Sequence, residues 1–155
     1  MTIDGLLTEW ENTDKTHFGK FSASVGAYSF SFGTNCLAYG ENSVSLGKNN
    51  LATGLQSFAC NLYNRAEGIY SFAGGHNTKS LHDSSATFGN NTQTGAKYQF
   101  VCGTNNKVDA NALFIVGNGD SNSNRNNAFI INKDGNNSCK INEISFILQK
   151  NASVR

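Results

Sequence analysis

The residues whose types could do chemistry are few, and most stand apart. Asp120, Asn122 and Asn124 form a D-x-N-x-N string, the opening of a calcium loop, with Arg125 next in the chain. Such a loop closes on a bidentate acid at its twelfth position, which here is Ile131, so the reading is no metal. Asn and Asp in this setting are turn formers, and the string is a candidate polar binding loop. Glycoside cleavage needs two carboxylates about 5–9.5 Å apart. Between Gly19 and Gly103 the acids are Glu41, Glu67 and Asp83, too widely spaced within one chain for that work. No G-x-S-x-G occurs, and His17, His76 and His82 share no metal spacing. Cys36, Cys60, Cys102 and Cys139 lack a C-x-x-C and read as reduced thiols. The expectation is a protein without catalytic residues, metal or cofactor: not an enzyme.

Composition excludes further classes. The net charge is +1, from 12 Lys plus Arg against 11 Asp plus Glu, with no basic cluster. A dedicated nucleic-acid binder needs a dense basic face, so none is expected. No apolar run approaches the ~20 residues of a membrane helix, so membrane insertion is not expected. Residues 1–18 carry four acids and no sustained apolar stretch, so no secretory signal is read there. Yet 11 Phe and 5 Tyr at so low a net charge argue for an ordered fold.

What must position these residues is a repeat. Counting by seven from Gly19 to Gly103, ten of thirteen positions are Gly, where composition alone gives about one. The exceptions are Asn61, His82 and Ala96; Asn and His are among the few non-Gly types that tolerate positive φ. Gly at this density would destabilise a helix by ~1 kcal/mol each time, whereas Phe, Val, Thr and Tyr favour strands. Turn positions are therefore assigned to Gly26, Gly33, Gly40, Gly47, Gly54, Gly68, Gly75, Gly89 and Gly103. Two residues before each stands a small side chain, such as Ser31, Ala38, Ser45, Ala52 and Ala59, with only Val101 larger. Strand alternation puts that column, and the one two places earlier, on a single inward face. A period of fourteen overlies the first: Phe30, Val44, Phe58, Phe72 and Phe100 share one outward column. The intervening half-repeats run from Leu37 and Leu51 to Arg65 and Lys79, turning polar midway. The expectation is an all-β parallel roll of about six coils, fourteen residues per coil, with small side chains inside. A monomer would leave the Phe/Val column exposed, which predicts self-association with those five residues in the core.

The segments Glu41–Gly47 (ENSVSLG), Gln56–Ala59 (QSFA) and Tyr70–Gly74 (YSFAG) resemble the head repeat of YadA-like trimeric autotransporter adhesins. The resemblance covers about residues 19–103. It implies a left-handed parallel β-roll and a homotrimer of rolls, side by side or intertwined.

After Gly103 the register is expected to end. Ala112–Val116 and Ala128–Ile131 read as two strands of a small β-hairpin module, joined by the polar loop 117–127. The string ALFIVGNG…NRNNAFIINKDGN resembles a module that follows such head repeats in bacteriophage tail and fibre proteins. Ile141, Ile144 and Leu148 stand at near-heptad spacing, as at the start of a stalk. The expected division is 1–18 cap or anchor, with Leu6, Leu7 and Trp10 as its apolar groups; 19–103 roll; 104–137 module; 138–155 tail or stalk start. The function expected is a structural and adhesive fibre protein of a bacteriophage or phage-like particle, located on the virion. Its partners would be itself, other virion proteins, and a host-surface glycan or protein receptor. A head segment of a bacterial trimeric surface adhesin is the first alternative, and a polysaccharide-active fibre, disfavoured by the spread of the acids, is the second.

Overall fold

The computed structural model describes residues 15–141 and 144–148, and among them there are strands and turns but no helix. Small residues at every second position allow the chain to coil tightly, and it does. Eight parallel strands form one wall: β1 (Lys15–Phe18), β3 (Ser29–Thr34), β5 (Val44–Lys48), β7 (Phe58–Leu62), β9 (Phe72–His76), β11 (Ala86–Asn90), β12 (Phe100–Thr104) and β13 (Ala112–Asn118). The opposite wall has five two-residue strands: β2 (Ala23–Ser24), β4 (Leu37–Ala38), β6 (Leu51–Ala52), β8 (Arg65–Ala66) and β10 (Lys79–Ser80). Partners differ by fourteen residues throughout, as in Ser31 beside Ser45 and Ala59 beside Ala73. This is a parallel β-solenoid of about seven turns. At ~4.8 Å per step it is roughly 34 Å long.

Both inward columns are buried at every position, one from Ser22 to Gln99 and the other from Ser24 to Val101. Through the middle coils the apolar core is alanine, with Ala52, Ala59, Ala66 and Ala73 in one cluster. A second cluster of Val101, Ala112 and Ile115, with Ile130 against it, lies at β12 and β13. Polar side chains in the interior bond to backbone. The Nδ2 of Asn64, which is wholly buried, donates to the carbonyls of Cys60 and Gly75, and its Oδ1 accepts from the N–H and hydroxyl of Thr78. Asn50 does the same one coil earlier, toward Leu46, Asn61 and the Asn64 N–H. The interior amides of Asn50 and Asn64 are paired in this way, whereas the hydroxyls of Ser29, Ser57, Ser71, Thr87 and Thr92 are buried without a partner among the described residues.

The glycine column divides in two, which corrects the expectation of a uniform turn role. Gly33, Gly47, Gly75, Gly89 and Gly103 have φ between 92° and 127°, and Asn61 replaces one of them at 80°. Gly26, Gly40, Gly54 and Gly68 do not have positive φ, and neither does His82. Close approach excludes side chains there instead: a Cβ on Gly54 would lie 1.9 Å from the carbonyl oxygen of Gly68. The left-handed residues proper stand two places after each glycine position. They are Phe21, Tyr28, Asn35, Asn42, Asn49, Gln56, Tyr63, Tyr70, Asn77, Ser84, Asn91, Tyr98 and Asn105, with φ from 40° to 61°. From Asn35 onward, each donates its N–H to a carbonyl fifteen residues earlier, as Asn49 does to Thr34, so the turns themselves stack.

The register passes Gly103. Phe100, Val101 and Gly103 pair with Phe114, Ile115 and Gly117, adding a further rung whose Ile115 is fully buried. Residues 15–18 likewise pair with β3 as its first rung. Beyond β13 the chain reverses through antiparallel β14 (Asn127–Asn132), β15 (Asn137–Ile141) and β16 (Ile144–Leu148). Paired strands therefore occupy the segment in which the heptad-like spacing pointed to a stalk. A spacing of three and four over so short a stretch does not outweigh a neighbouring sheet edge. Leu6, Leu7, Trp10 and residues 149–155 lie outside the described residues.

Candidate functional site

Three regions present side chains to the outside in a patterned way. The first is the outer face of the long-strand wall. Phe30, Val44, Phe58, Phe72, Ala86, Phe100 and Phe114 follow one another there in register. Phe58 stacks on Phe72 at 5.5 Å between centroids, and Phe100 on Phe114 at the same distance. Ala86 interrupts the rings. The adjoining column holds Phe32, Leu46, Cys60, Gly74, Phe88, Cys102 and Val116. Phe32 and Phe88 are more than half exposed, and Phe100 is 43% exposed. Burial pushes the thiols of Cys60 and Cys102 up, away from the reactive thiolate. All four cysteines are free.

The second is the loop between β13 and β14. Arg125 reaches back to the solenoid, donating to the carbonyls of Asn91 at 2.9 Å and Asn106 at 3.2 Å. Its other terminal nitrogen holds Asn122 Oδ1 at 2.7 Å. The Asn126 N–H bonds the Asn105 carbonyl and that of Gly119 bonds Thr104, so the root of the loop is fastened to the turn stack. Arg125 and Asn122 are thus occupied in holding the loop. Asp120 and Asn124 remain exposed, and Asp120 makes no ion pair among the described residues. No group of three or more His, Cys, Asp or Glu among the described residues could hold a metal ion.

The acids are dispersed as their spacing required. Glu67 pairs with Arg65 along β8. Asp83 meets Lys97 Nζ at 2.6 Å and accepts the Ile69 N–H at 3.1 Å. Those two contacts, the lysine first, hold the Asp83 carboxyl below its usual range, and Asp83 in turn raises Lys97.

The third region is an open groove of about 570 Å³, lined by Asn49, Leu51, Tyr63, Arg65, His76, Asn77 and Lys79. Sequence reasoning registered Arg65 and Lys79 only as the point where the outer face turns polar. The signal that would have found the groove is Tyr63, the aromatic member of a fourteen-residue column otherwise Asn from Asn35 to Asn105. Set against protein-family models and against curated protein sequences, the chain finds no match.

Proposed function

We propose that the protein is a structural and attachment segment of a trimeric fibre, of the kind carried by bacteriophages and phage-like particles. The observation that supports this best is the apolar column running the length of the long-strand wall. Seven in-register positions, five of them Phe, line the outer face; Phe100 is exposed, the other six are partly buried, and Phe129 of β14 packs edge-on against Phe114. Fully burying a Phe contributes about 1.5–3 kcal/mol, and covering what the five rings still expose contributes a part of that at each, which summed over the column favours association along the roll axis. Stacked strands with a small-residue interior make a stiff rod, suited to setting length and spacing. The resemblance of the repeats to YadA-like heads implies three left-handed rolls about one axis, and the string after the roll resembles a module of phage fibres. On this reading the partners are two further copies of the chain, neighbouring virion proteins, and a host-surface receptor. The loop 119–126 would be presented three times at one end of the fibre, where multivalency raises weak contacts.

Light scattering on the purified chain tests the assembly. A trimer is expected, and Phe58→Asp should yield monomer or aggregate. A well-folded monomer of the unmutated chain overturns the reading. Replacing Ser121 to Asn126 with Gly-Ser residues tests the loop: a folded trimer that attaches normally removes it from the receptor site.

A further inference from the structure

We infer that the groove around Tyr63 is a binding site for a carboxylate-bearing saccharide, such as a chain of uronic acids. The inference deepens the attachment reading by naming a receptor chemistry, and it rests on that reading only for its biological setting.

The argument starts from a break in the turn ladder. On one edge of the roll the left-handed positions are Phe21, Asn35, Asn49, Tyr63, Asn77, Asn91 and Asn105. Two successive Asn pairs bond coil to coil there, while Asn105, at the end of the column, donates to the Gly119 carbonyl instead. Asn35 Nδ2 donates to Asn49 Oδ1 at 2.8 Å, and Asn77 Nδ2 donates to Asn91 Oδ1 at 2.5 Å. Tyr63 sits between the two pairs and stops the ladder. Asn49 is left with an unused Nδ2 donor and Asn77 with an unused Oδ1 acceptor, one coil to either side of the ring. They are two coils, ~9.6 Å, apart.

Tyr63 is half exposed and is steadied from behind. The His76 ring meets it edge-on at 6.2 Å, while His76 Nδ1 bonds Asn90 Oδ1 at 3.2 Å. Beside the ring, on the short-strand wall, stand Arg65 and Lys79, adjacent in register. Glu67 takes one terminal nitrogen of Arg65, which leaves other guanidinium donors for a ligand. No acid lines the groove, and Leu51 supplies an apolar wall.

An aromatic face with a donor and an acceptor flanking it suits a sugar ring, whose C–H face stacks and whose hydroxyls both give and accept. Lys79, with the guanidinium donors of Arg65 that Glu67 does not take, stands on one side only and suits a carboxylate on that sugar. Nucleic acid fits poorly, since phosphate recognition along a strand needs a basic stripe that the chain lacks.

The test is two-dimensional NMR titration of the full chain with trigalacturonate, with maltotriose and inorganic phosphate as comparisons. Trigalacturonate should shift Tyr63, Asn49, Asn77 and Arg65 signals, and bind at least about tenfold more tightly than either comparison. Tyr63→Asn suits the left-handed backbone and completes the amide ladder, so it should fold as well as the parent and lose the binding. Arg65→Ala should weaken trigalacturonate but leave any maltotriose contact unchanged. Equal binding of all three probes, no shifts around Tyr63, or undiminished binding by Tyr63→Asn overturns the site. Light scattering on the same samples keeps the two proposals separate. A trimer without trigalacturonate binding removes the groove and retains the fibre; a monomer that binds it does the reverse.

Discussion

The two outer walls of the roll are built on one backbone repeat and have diverged completely. On the long-strand wall the outward column stays apolar from Phe30 to Phe114. On the short-strand wall the matching column runs Ala23, Leu37, Leu51, Arg65, Lys79 and Gln93, turning from aliphatic to charged within one coil. Behind both walls the inward columns are buried throughout, mostly Ser and Ala on the long-strand side, with the amides of Asn50 and Asn64 joining small residues on the short-strand side. The difference teaches that the solenoid constrains its interior and its turns, and leaves each outer face free to acquire its own partner. One wall is suited to copies of itself, the other to water or a polar ligand.

The largest expected effect comes from breaking what the walls share. Gly33→Val would place a Cβ 1.9 Å from the Gly47 carbonyl oxygen, at a φ of 127°. Backbone cannot move there without parting two coils, so the substitution should cost more than about 3 kcal/mol, read as collapse of the melting transition. Gly54→Val should be nearly as damaging despite its ordinary φ, because its obstruction from Gly68 is just as close. If Gly54→Val melted like the parent, stacking distance would not be what selects glycine on that side.

Next comes the interior amide. Asn64→Ala removes four hydrogen bonds and strands the carbonyls of Cys60 and Gly75 in the interior. A loss of about 2–4 kcal/mol is expected by denaturant titration. A difference under about 0.5 kcal/mol would mean the groups find other partners.

The comparison between the walls themselves is sharpened by a matched pair of charges. Phe58→Asp should abolish the trimer, whereas Arg65→Asp, on the opposite wall, should leave its mass in light scattering unchanged. Equal disruption by both would make the short-strand wall part of the interface.

The smallest effect belongs to the exposed pair at Asp83 and Lys97. Because folding lowers the Asp83 pKa, its contribution is present above the usual carboxylate value and fades as pH falls through the lowered one. Asp83→Asn should therefore depress the melting temperature slightly at neutral pH and not at all in strong acid. The pair is open to solvent, and salt should erase the difference. A deficit that persists at low pH would show a role for Asp83 other than charge.

How far the chain could be read from its residues follows from where the repeat carries information. The spacing of glycines and small residues establishes the coil length, the two inward columns and the outward Phe/Val column, because alternation in a strand leaves no choice of face. The rung at β13 was also legible: Gly117 stands fourteen after Gly103, and Phe114 fourteen after Phe100. The half-repeat between them lacks its glycine, with Ala110 in its place, and that hid the continuation. The left-handed column was not legible. Phe21, Tyr28, Tyr63, Tyr70 and Tyr98 are poor candidates for positive φ taken singly. Only the stack imposes it, since each turn must match the turn beneath to pass its N–H to a carbonyl fifteen residues back. The two reasons for glycine were equally hidden, because a tight φ and an obstructing carbonyl leave the same letter in the sequence.

By itself, then, the sequence determined that this chain coils every fourteen residues around a narrow interior and shows one apolar wall. Tertiary structure decided the rest: which glycines serve φ and which serve clearance, that Arg125 fastens its own loop, and that residues 137–141 and 144–148 pair as strands. It also brought Tyr63 between two unfinished amide pairs and beside Arg65 and Lys79. Periodicity records which side of a strand a residue occupies. What lies within reach of that side depends on the turns that carry the chain from one wall to the other, and their geometry is settled only when the coils stack.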